Sequence, residues 1–160
     1  MTGHNQASTV TGQQRRSRAW IFQANPKRYD IYTALRVERM DMWNLNQHAS
    51  EVAAGDQVVI WICGAEAGIY ALGTVTSNPE LQQDSPIGVK YWASPQEGKR
   101  PRARVWVRYS RVLLDRPLLK VYLEADPALW QLSILRQARG TNFRVRDEEW
   151  QALQEWFMQM

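Results

Sequence analysis

The sequence predicts an α+β fold in which a strongly curved sheet or small barrel is flanked by helices. Short segments of alternating apolar residues predict strands, amphipathic segments between them predict helices, and the chain has no regular repeat. The clearest strands are residues 57–62, 69–76 and 103–114. A short glycine-containing connection joins the first two, which predicts a hairpin. Gly73 within the second predicts a bulge or a close backbone approach.

The first elements follow from local signals near the start of the domain. Residues 18–23 predict a short buried strand, which Asn25-Pro26 ends because proline cannot donate to a sheet ladder. Asp30 is then placed to cap a helix. The segment around Trp43 is expected to be a loop with a short strand.

The last third of the chain predicts two helices and an edge strand. Asp126-Pro127 is typical of a helix start, and we expect that helix to run to about residue 138. Residues 141–145 predict an edge strand. A final helix then follows, with three acidic residues in its first turn, where the helix dipole favours them. Residues 79–102 form a long connection of the kind that often carries function.

Length and composition indicate one globular domain. We expect a flexible polar arm over residues 1–17 and a domain over residues 18–160. No apolar run approaches the ~20 residues of a membrane span, and the first 14 residues have no apolar signal core. We therefore expect a cytoplasmic location and no membrane partner. A single cysteine, Cys63, excludes an internal disulfide framework.

Three of the eight tryptophans lie close in sequence to amides, glycines or basic residues: Trp43, Trp61 and Trp92. An indole is a flat surface on which a nucleobase can stack, and a neighbouring amide can hydrogen-bond the edge of the base. Tryptophans also fill protein cores because they bury a large area. The sequence leaves both interpretations open for each ring.

The chain is mildly basic, with a net charge of +4, and much of the excess is arginine. The planar guanidinium suits phosphate groups. Four arginines in or beside the predicted strand at residues 103–114 are candidate phosphate ligands: Arg100, Arg102, Arg104 and Arg108. A solvated charged surface is the alternative.

Catalytic signatures are weak. The chain has no HExxH, CxxC, GxSxG or GxxxxGK[ST] pattern. With His48 as the one histidine inside the predicted domain, a zinc site lacks ligands, so we expect no metal and no cofactor. An enzyme acting on a modified base remains an alternative, for which Glu66 is the loop candidate. A third alternative is a protein-interaction module that uses exposed tryptophans as anchors.

Several segments together resemble the EVE domain of the PUA-like superfamily, which is similar to the YTH readers of methylated adenosine. They are residues 20–26, Trp43 with Asn46-Gln47, residues 55–58, Trp61 with residues 64–70, and residues 139–144. The resemblance covers residues 18–157. It implies a PUA-like mixed β-barrel with helices around it. One departure is Arg146 at the start of the last helix, where relatives often have a capping hydroxyl.

The resemblance implies a nucleic-acid-binding module that recognises a modified base, with a modified cytosine in DNA favoured and RNA as the alternative. Trp43 corresponds to a tryptophan of the YTH aromatic cage, and Trp92 to a second one. The implied pocket comprises Phe22, Gln23, Asn25, Trp43, Asn46, Gln47, Trp61, Gly64, Gly68, Trp92 and Asn142. Many EVE domains accompany restriction-type nucleases, so a nuclease or another effector protein is an expected partner.

Overall fold

One curled, mixed sheet of eight strands runs through the computed structural model, which describes residues 15–160. The strands are β1 Ala19–Ala24, β2 Met40–Asn44, β3 Gln57–Ile62, β4 Gly68–Val75, β5 Glu80–Gln82, β6 Arg102–Val112, β7 Leu118–Leu119 and β8 Asn142–Val145. Their order is β2-β6-β4-β3-β1-β8, with β5 paired to β6 and β7 to β4. The strands predicted at 57–62, 69–76 and 103–114 are confirmed, as are the first strand and the edge strand β8.

β1 holds the sheet together because it pairs on both sides. It runs parallel to β3 and antiparallel to β8. Its alternate side chains enter two different cores: Trp20 and Phe22 pack on one face of the sheet, and Ile21 on the other. β3 divides in the same way, because Ile60 joins the first core and Trp61 the second. The period of two read from the sequence is therefore confirmed.

Six helices of residues 15–160 surround the sheet. They are α1 Ile31–Val37, α2 Pro86–Val89, α3 Pro95–Lys99, α4 Lys120–Ala125, α5 Ser133–Arg136 and α6 Asp147–Met158. Asp30 caps α1 as predicted, since its Oδ1 accepts the Thr33 N–H at 3.3 Å. At the start of α6 a Glu149 carboxylate oxygen accepts the Arg146 N–H at 3.0 Å, so the half of a capping box that needs no hydroxyl is present.

The bulge predicted at Gly73 is present. The pairing of β4 with β6 shifts register between Leu72 and Gly73. A Cβ atom at Gly73 would lie 2.6 Å from the carbonyl oxygen of Arg108, which no side chain tolerates. The bulge increases the local bend of the sheet, and that bend curls β6 toward β2.

The helix predicted over residues 126–138 is wrong. Asp126 ends α4, since its N–H donates to the Leu123 carbonyl, and only the short α5 follows. The two carboxylate oxygens of Asp126 are used by a turn and a distant ring: one accepts the Ala128 N–H at 2.7 Å and the other the Trp156 Nε1–H at 2.8 Å. The Asp-Pro pair therefore begins a turn that does not continue as a helix, and its carboxylate also makes a tertiary contact.

The long connection between β4 and β6 contains β5, α2 and α3. We call residues 80–99 the covering segment, because they lie over Arg104, which is fully buried. The carbonyls of Gln82 and Glu97, near the two ends of the segment, accept hydrogen bonds from the Arg104 guanidinium. The Arg104 side chain thus fixes both ends of the covering segment, in addition to the pairing of β5 with β6.

The first residues of the arm predicted over residues 1–17 lie outside the described part of the chain. Arg15 is described and forms an ion pair of 2.6 Å with Asp56. Asp56 is fully buried, and its carboxylate also accepts the Trp20 Nε1–H at 2.8 Å. Burial raises the pKa of Asp56, but the Arg15 guanidinium and the hydrogen bonds outweigh it, and the net shift is downward.

Within residues 15–160, no helix has both the length and the apolar character to cross a membrane.

Candidate functional site

A pocket of about 510 Å³ opens between the ends of β1 and β2, the covering segment and the residues before β8. That volume is in the range of sites that hold small organic groups. Its lining consists of Gln23, Ala24, Asn25, Arg28, Tyr29, Met42, Trp43, Asn44, Asn46, Cys63, Trp92, Glu97, Arg102, Ala138, Gly140 and Thr141. Five of the base-pocket residues predicted from sequence lie there: Gln23, Asn25, Trp43, Asn46 and Trp92.

Trp43 forms the wall between the pocket and the core. On its core side the indole lies 5.9 Å from the Phe22 ring, and only 8% of the residue is exposed. On its other side it lines the pocket. Its Nε1–H donates to the Tyr109 hydroxyl at 3.0 Å, which fixes the plane of the ring. Trp43 is therefore at once a residue of the core and a residue of the pocket lining.

A buried carboxylate stands behind this wall. The Tyr109 hydroxyl donates to Asp41 Oδ2 at 2.9 Å, and the Tyr29 hydroxyl donates to Oδ1 at 3.3 Å. Asp41 is 2% exposed, and burial raises its pKa to about 7, although both tyrosines act in the opposite direction. Since Trp43 and Tyr29 both line the pocket, Asp41 sets the position of two aromatic rings from behind.

We expect the raised pKa of Asp41 to make stability depend on pH. The pKa of an unfolded aspartate is about 3.9, so the stabilising contribution is complete below about pH 4 and is lost as the pH rises through about 7. Urea unfolding of the wild type and of Asp41→Asn measures this. As the pH rises from about 4 to about 7, the free energy of unfolding of the variant should gain on that of the wild type by up to about 1.4 kcal/mol per pH unit. Above about pH 7 the difference between the two proteins should stay constant. A difference that stays constant from about pH 4 to 8 would contradict the assignment.

Trp92 forms a second aromatic wall. Its Nε1–H donates to Asp84 Oδ2 at 2.8 Å, and its ring meets Tyr29 edge-on at 5.1 Å between centroids. The indole lies against Gly98, where a Cβ atom would come within 2.7 Å of the ring. The covering segment therefore positions this ring through one hydrogen bond and one glycine contact.

Three amide side chains reach the pocket with part of their hydrogen-bonding capacity unused. Gln23 Nε2 donates to the Gly140 carbonyl at 2.7 Å, Asn46 Nδ2 donates to Thr141 Oγ1 at 2.8 Å, and Asn25 Oδ1 accepts the Lys27 N–H at 3.0 Å. Within residues 15–160, Gln23 Oε1, Asn46 Oδ1 and Asn25 Nδ2 have no partner. Two acceptors and one donor are thus available to a bound group.

Charges gather at the rim formed by α3 and β6. Glu97 lies between three arginines, with nitrogen–oxygen distances of 3.2 Å to Arg28, 3.7 Å to Arg100 and 3.9 Å to Arg102. Glu97, Arg28 and Arg102 also line the pocket. One carboxylate cannot neutralise three guanidinium groups, so the rim is positively charged.

Four of the predicted pocket residues support the pocket without lining it. Phe22 lies behind Trp43. Gln47 Oε1 accepts the backbone N–H groups of Thr141 and Asn142 at 2.8 and 3.0 Å. Asn142 Oδ1 in return accepts the N–H of Asn46 at 2.8 Å. Gln47 and Asn142 therefore brace the loop after β2 against β8. Gly64, with φ of 125°, closes the β3–β4 hairpin in the left-handed region.

Trp61 and Gly68 lie away from the pocket. Trp61 is 3% exposed and packs in the core on the opposite face of the sheet, because it alternates with Ile60 along β3. A Cβ atom at Gly68 would lie 2.4 Å from the Leu118 carbonyl oxygen, so this glycine permits β7 to approach. Glu66, the residue named for catalysis, is exposed in the β3–β4 hairpin and does not line the pocket.

Arg104 was expected to be a phosphate ligand, and this prediction is wrong. It is fully buried, and its guanidinium donates to Asn44 Oδ1 at 2.7 Å and to the carbonyls of Arg100 and Glu97 at 2.9 and 3.1 Å, in addition to Gln82. A phosphate cannot reach it. Alternation along β6 places Arg104 on the same face as Arg108, but the covering segment closes over Arg104. Arg108, four residues further along, is exposed outside the pocket lining.

Several residues that complete the pocket were not predicted from the sequence. Arg28 and Tyr29 follow Asn25-Pro26 within one turn, so their closeness to predicted amides was a usable signal. Met42 and Asn44 flank Trp43 on β2, where alternation predicts a shared face. Glu97 and Thr141 are brought in by tertiary folding alone. Within residues 15–160, no group of three or more His, Cys, Asp or Glu side chains is arranged to hold a metal ion.

The curled mixed sheet with flanking helices confirms the predicted α+β fold class. The sequence model of the EVE domain matches residues 18–156, and the chain belongs to this family. No curated protein matches the sequence.

Solved structures share the fold at low sequence identity. A hypothetical protein from Leishmania major is 17% identical with a TM-score of 0.67, covering 90% of this chain and 96% of its own. Human THYN1, in complex with 5-methylcytosine-containing DNA, is 14% identical with a TM-score of 0.64, covering 88% and 97%. A protein from Pseudomonas putida is 17% identical with a TM-score of 0.63, covering 86% and 97%.

Proposed function

We propose that this protein binds nucleic acid and holds one modified base in the pocket between Trp43 and Trp92. The observation that carries the proposal is the combination of two indoles with three partly unpaired amides around one hollow of about 510 Å³. Rings supply stacking surfaces, and the amides can hydrogen-bond the edge of a base. Met42 and Ala24 in the same lining suit an added methyl group.

The energetics of such a site are favourable when the modification contributes. Removing a base from its stack costs a few kcal/mol, and stacking on one aromatic side chain returns about 1–3 kcal/mol. Hydrogen bonds to Gln23, Asn25 and Asn46 then fix the orientation of the base. A methyl group buried against apolar side chains adds about 0.8 kcal/mol. Discrimination between modified and unmodified bases is therefore expected to be about fourfold.

The charged rim supports nucleic acid as the carrier of the base. Arg28, Arg100 and Arg102 surround Glu97, and phosphate groups can replace this carboxylate as their partner. The structurally similar human THYN1 was solved with DNA containing 5-methylcytosine, which makes that base in DNA the first candidate here. Recognition in DNA over RNA, and an effector such as a nuclease acting on the bound strand, are parts of the same proposal.

A binding experiment with matched oligonucleotides tests the proposal. Fluorescence anisotropy with DNA and RNA strands that carry cytosine, 5-methylcytosine, adenine or N6-methyladenine at one position should show saturable binding, tightest for one modified base. The bound oligonucleotide should be recovered unchanged by mass spectrometry, which separates a binding module from an enzyme. Equal affinity for every base would refute recognition of a modification, and a converted base would favour the enzyme.

A further inference from the structure

Next to the base pocket lies a second hollow of about 290 Å³, lined by His48, Gln131, Ser133, Arg136, Asn142, Phe143, Arg144, Arg146 and Glu149. Three of these side chains are arginines and one is a carboxylate. None of the three arginines is among the phosphate ligands expected from sequence. We propose that the second hollow binds a phosphodiester of the same nucleic-acid strand, directly beside the nucleotide whose base enters the pocket. This proposal rests on the proposed function.

Two of the arginines in the second hollow are free to bind an anion. No ion pair and no side-chain hydrogen bond joins Arg136 or Arg144 to any of residues 15–160, and the Arg144 Nε atom is buried without a partner in that range. By contrast, Arg104 and Arg15 use their guanidinium groups on internal acceptors. Arg136 is exposed and Arg144 is half-buried, so both guanidinium groups keep donors that a phosphate oxygen can accept.

The position of Arg144 is fixed before any ligand binds. Its guanidinium carbon lies 5.4 Å from the centre of the buried Trp20 ring, and its backbone belongs to β8. Arg146 is held by Glu149, with 3.0 Å between Nη2 and Oε2. Glu149 therefore offsets Arg146 and leaves the charges of Arg136 and Arg144 uncompensated in the lining. A preorganised donor such as Arg144 loses little side-chain entropy when an anion binds.

The base pocket and the second hollow are close enough for one nucleic-acid strand to reach both. Asn46 and Thr141 line the base pocket, while His48 and Asn142 line the second hollow. Two residues of chain, at most about 7 Å, thus separate the two linings, and successive phosphates in B-DNA are ~3.4 Å apart along the axis. The rim of Arg28, Arg100 and Arg102 adjoins β6, whereas the second hollow adjoins β8 at the end of the strand order. A strand would therefore meet basic side chains on both sides of the read base.

Oligonucleotides bearing cytosine or 5-methylcytosine, titrated at several salt concentrations, test the inference. We compare the wild type with Arg136→Ala, Arg144→Gln and the double variant. Arg116→Ala is the matched control, because Arg116 is exposed and lines neither hollow. The double variant should bind both oligonucleotides about tenfold more weakly, and the slope of log K against log salt should fall by about one per lost phosphate contact. The ratio between the two oligonucleotides should stay unchanged.

Short ligands sharpen the test. A 5-methylcytidine nucleoside reaches the base pocket alone and should bind the double variant as it binds the wild type. Of two dinucleotides, one extended on the 5′ side of the methylated residue and one on the 3′ side, a single one should gain affinity, and the double variant should lose that gain. Arg136 is exposed and makes no contact that folding needs, so Arg136→Ala alone keeps the test valid if Arg144→Gln unfolds the chain.

Each remaining result has a defined meaning. If the variants keep the wild-type salt slope with both oligonucleotides, the second hollow is not a phosphodiester site, whatever the base pocket does. If inorganic phosphate at constant ionic strength saturates the second hollow while the slopes stay equal, the hollow binds a small anion and the inference is overturned. If the wild type binds both oligonucleotides equally and the slope still falls in the variants, base recognition fails and the second hollow stands. Absence of binding to either oligonucleotide refutes both proposals.

Discussion

Replacement of Trp43 by alanine is expected to remove the preference for the modified base and to lower the free energy of unfolding by about 3–5 kcal/mol. Both effects arise because one indole separates the pocket from the core: it packs on Phe22 and also lines the hollow. The salt dependence of residual binding should remain nearly unchanged, since the arginines at the rim are not altered. Anisotropy titrations and urea unfolding of the same protein sample measure the two effects.

Two further variants separate the two roles of Trp43. Trp43→Phe keeps an aromatic surface and loses the hydrogen bond to Tyr109, so it should lose less stability and retain part of the base preference. Trp130→Ala removes a tryptophan that is 53% exposed and lines neither hollow, and it should bind like the wild type. If Trp43→Phe binds modified and plain bases with the ratio of the wild type, and Trp43→Ala does so too wherever it is folded, the indole acts only in the core.

Replacement of Arg104 by methionine is expected to lower the free energy of unfolding by about 3–5 kcal/mol. Four acceptors lose their donor, and each buried, unsatisfied acceptor costs about 1–3 kcal/mol, less where water enters. The covering segment should also loosen, and with it the Trp92 wall, so affinity for the modified base should fall. Urea denaturation gives the stability, and hydrogen exchange of residues 80–99 reports the loosening.

Arg108→Met is the matched control for Arg104. It changes the same side chain on the same strand at an exposed position, where a substitution typically alters stability by less than about 0.5 kcal/mol. Equal losses in the two variants would show that β6 depends on positive charge in general. A stable Arg104→Met with normal exchange in the covering segment would refute the role assigned to Arg104 as its anchor.

Local patterns predicted most of the sheet because alternation and turn signals agree with tertiary packing there. β3, β4 and their hairpin follow from period-two alternation, and Gly73 marks the bulge by its lack of a side chain. The helix expected at residues 126–138 is replaced by a turn and the short α5, and the Asp126 carboxylate also accepts a hydrogen bond from Trp156, 30 residues away in sequence. A contact of that kind leaves no trace in a local window.

The pocket was predicted in part, for a similar reason. Trp43, Asn46 and Gln23 were found by residue type and by resemblance, and they do line one hollow. Residue type alone could not distinguish Trp61 from Trp43. In the folded chain Trp43 of β2 and Trp61 of β3 lie on opposite faces of the sheet, and only the face of Trp43 borders the pocket. Arg104 shows the converse limit. The strand that contains it was predicted correctly, but the covering segment that buries its side chain is not visible in the local pattern of that strand.

The seating of β1 between β3 and β8 has a consequence for when the pocket comes into being. The amide of Gln23 is held by a carbonyl 117 residues further along the chain, and the braces at Asn46 and Gln47 reach across 94 residues or more. Contacts over such separations form late, because the chain must first close a large loop. A nascent polypeptide therefore carries no finished binding cavity until its last strand has emerged and docked, and ligand capture reports that assembly is complete.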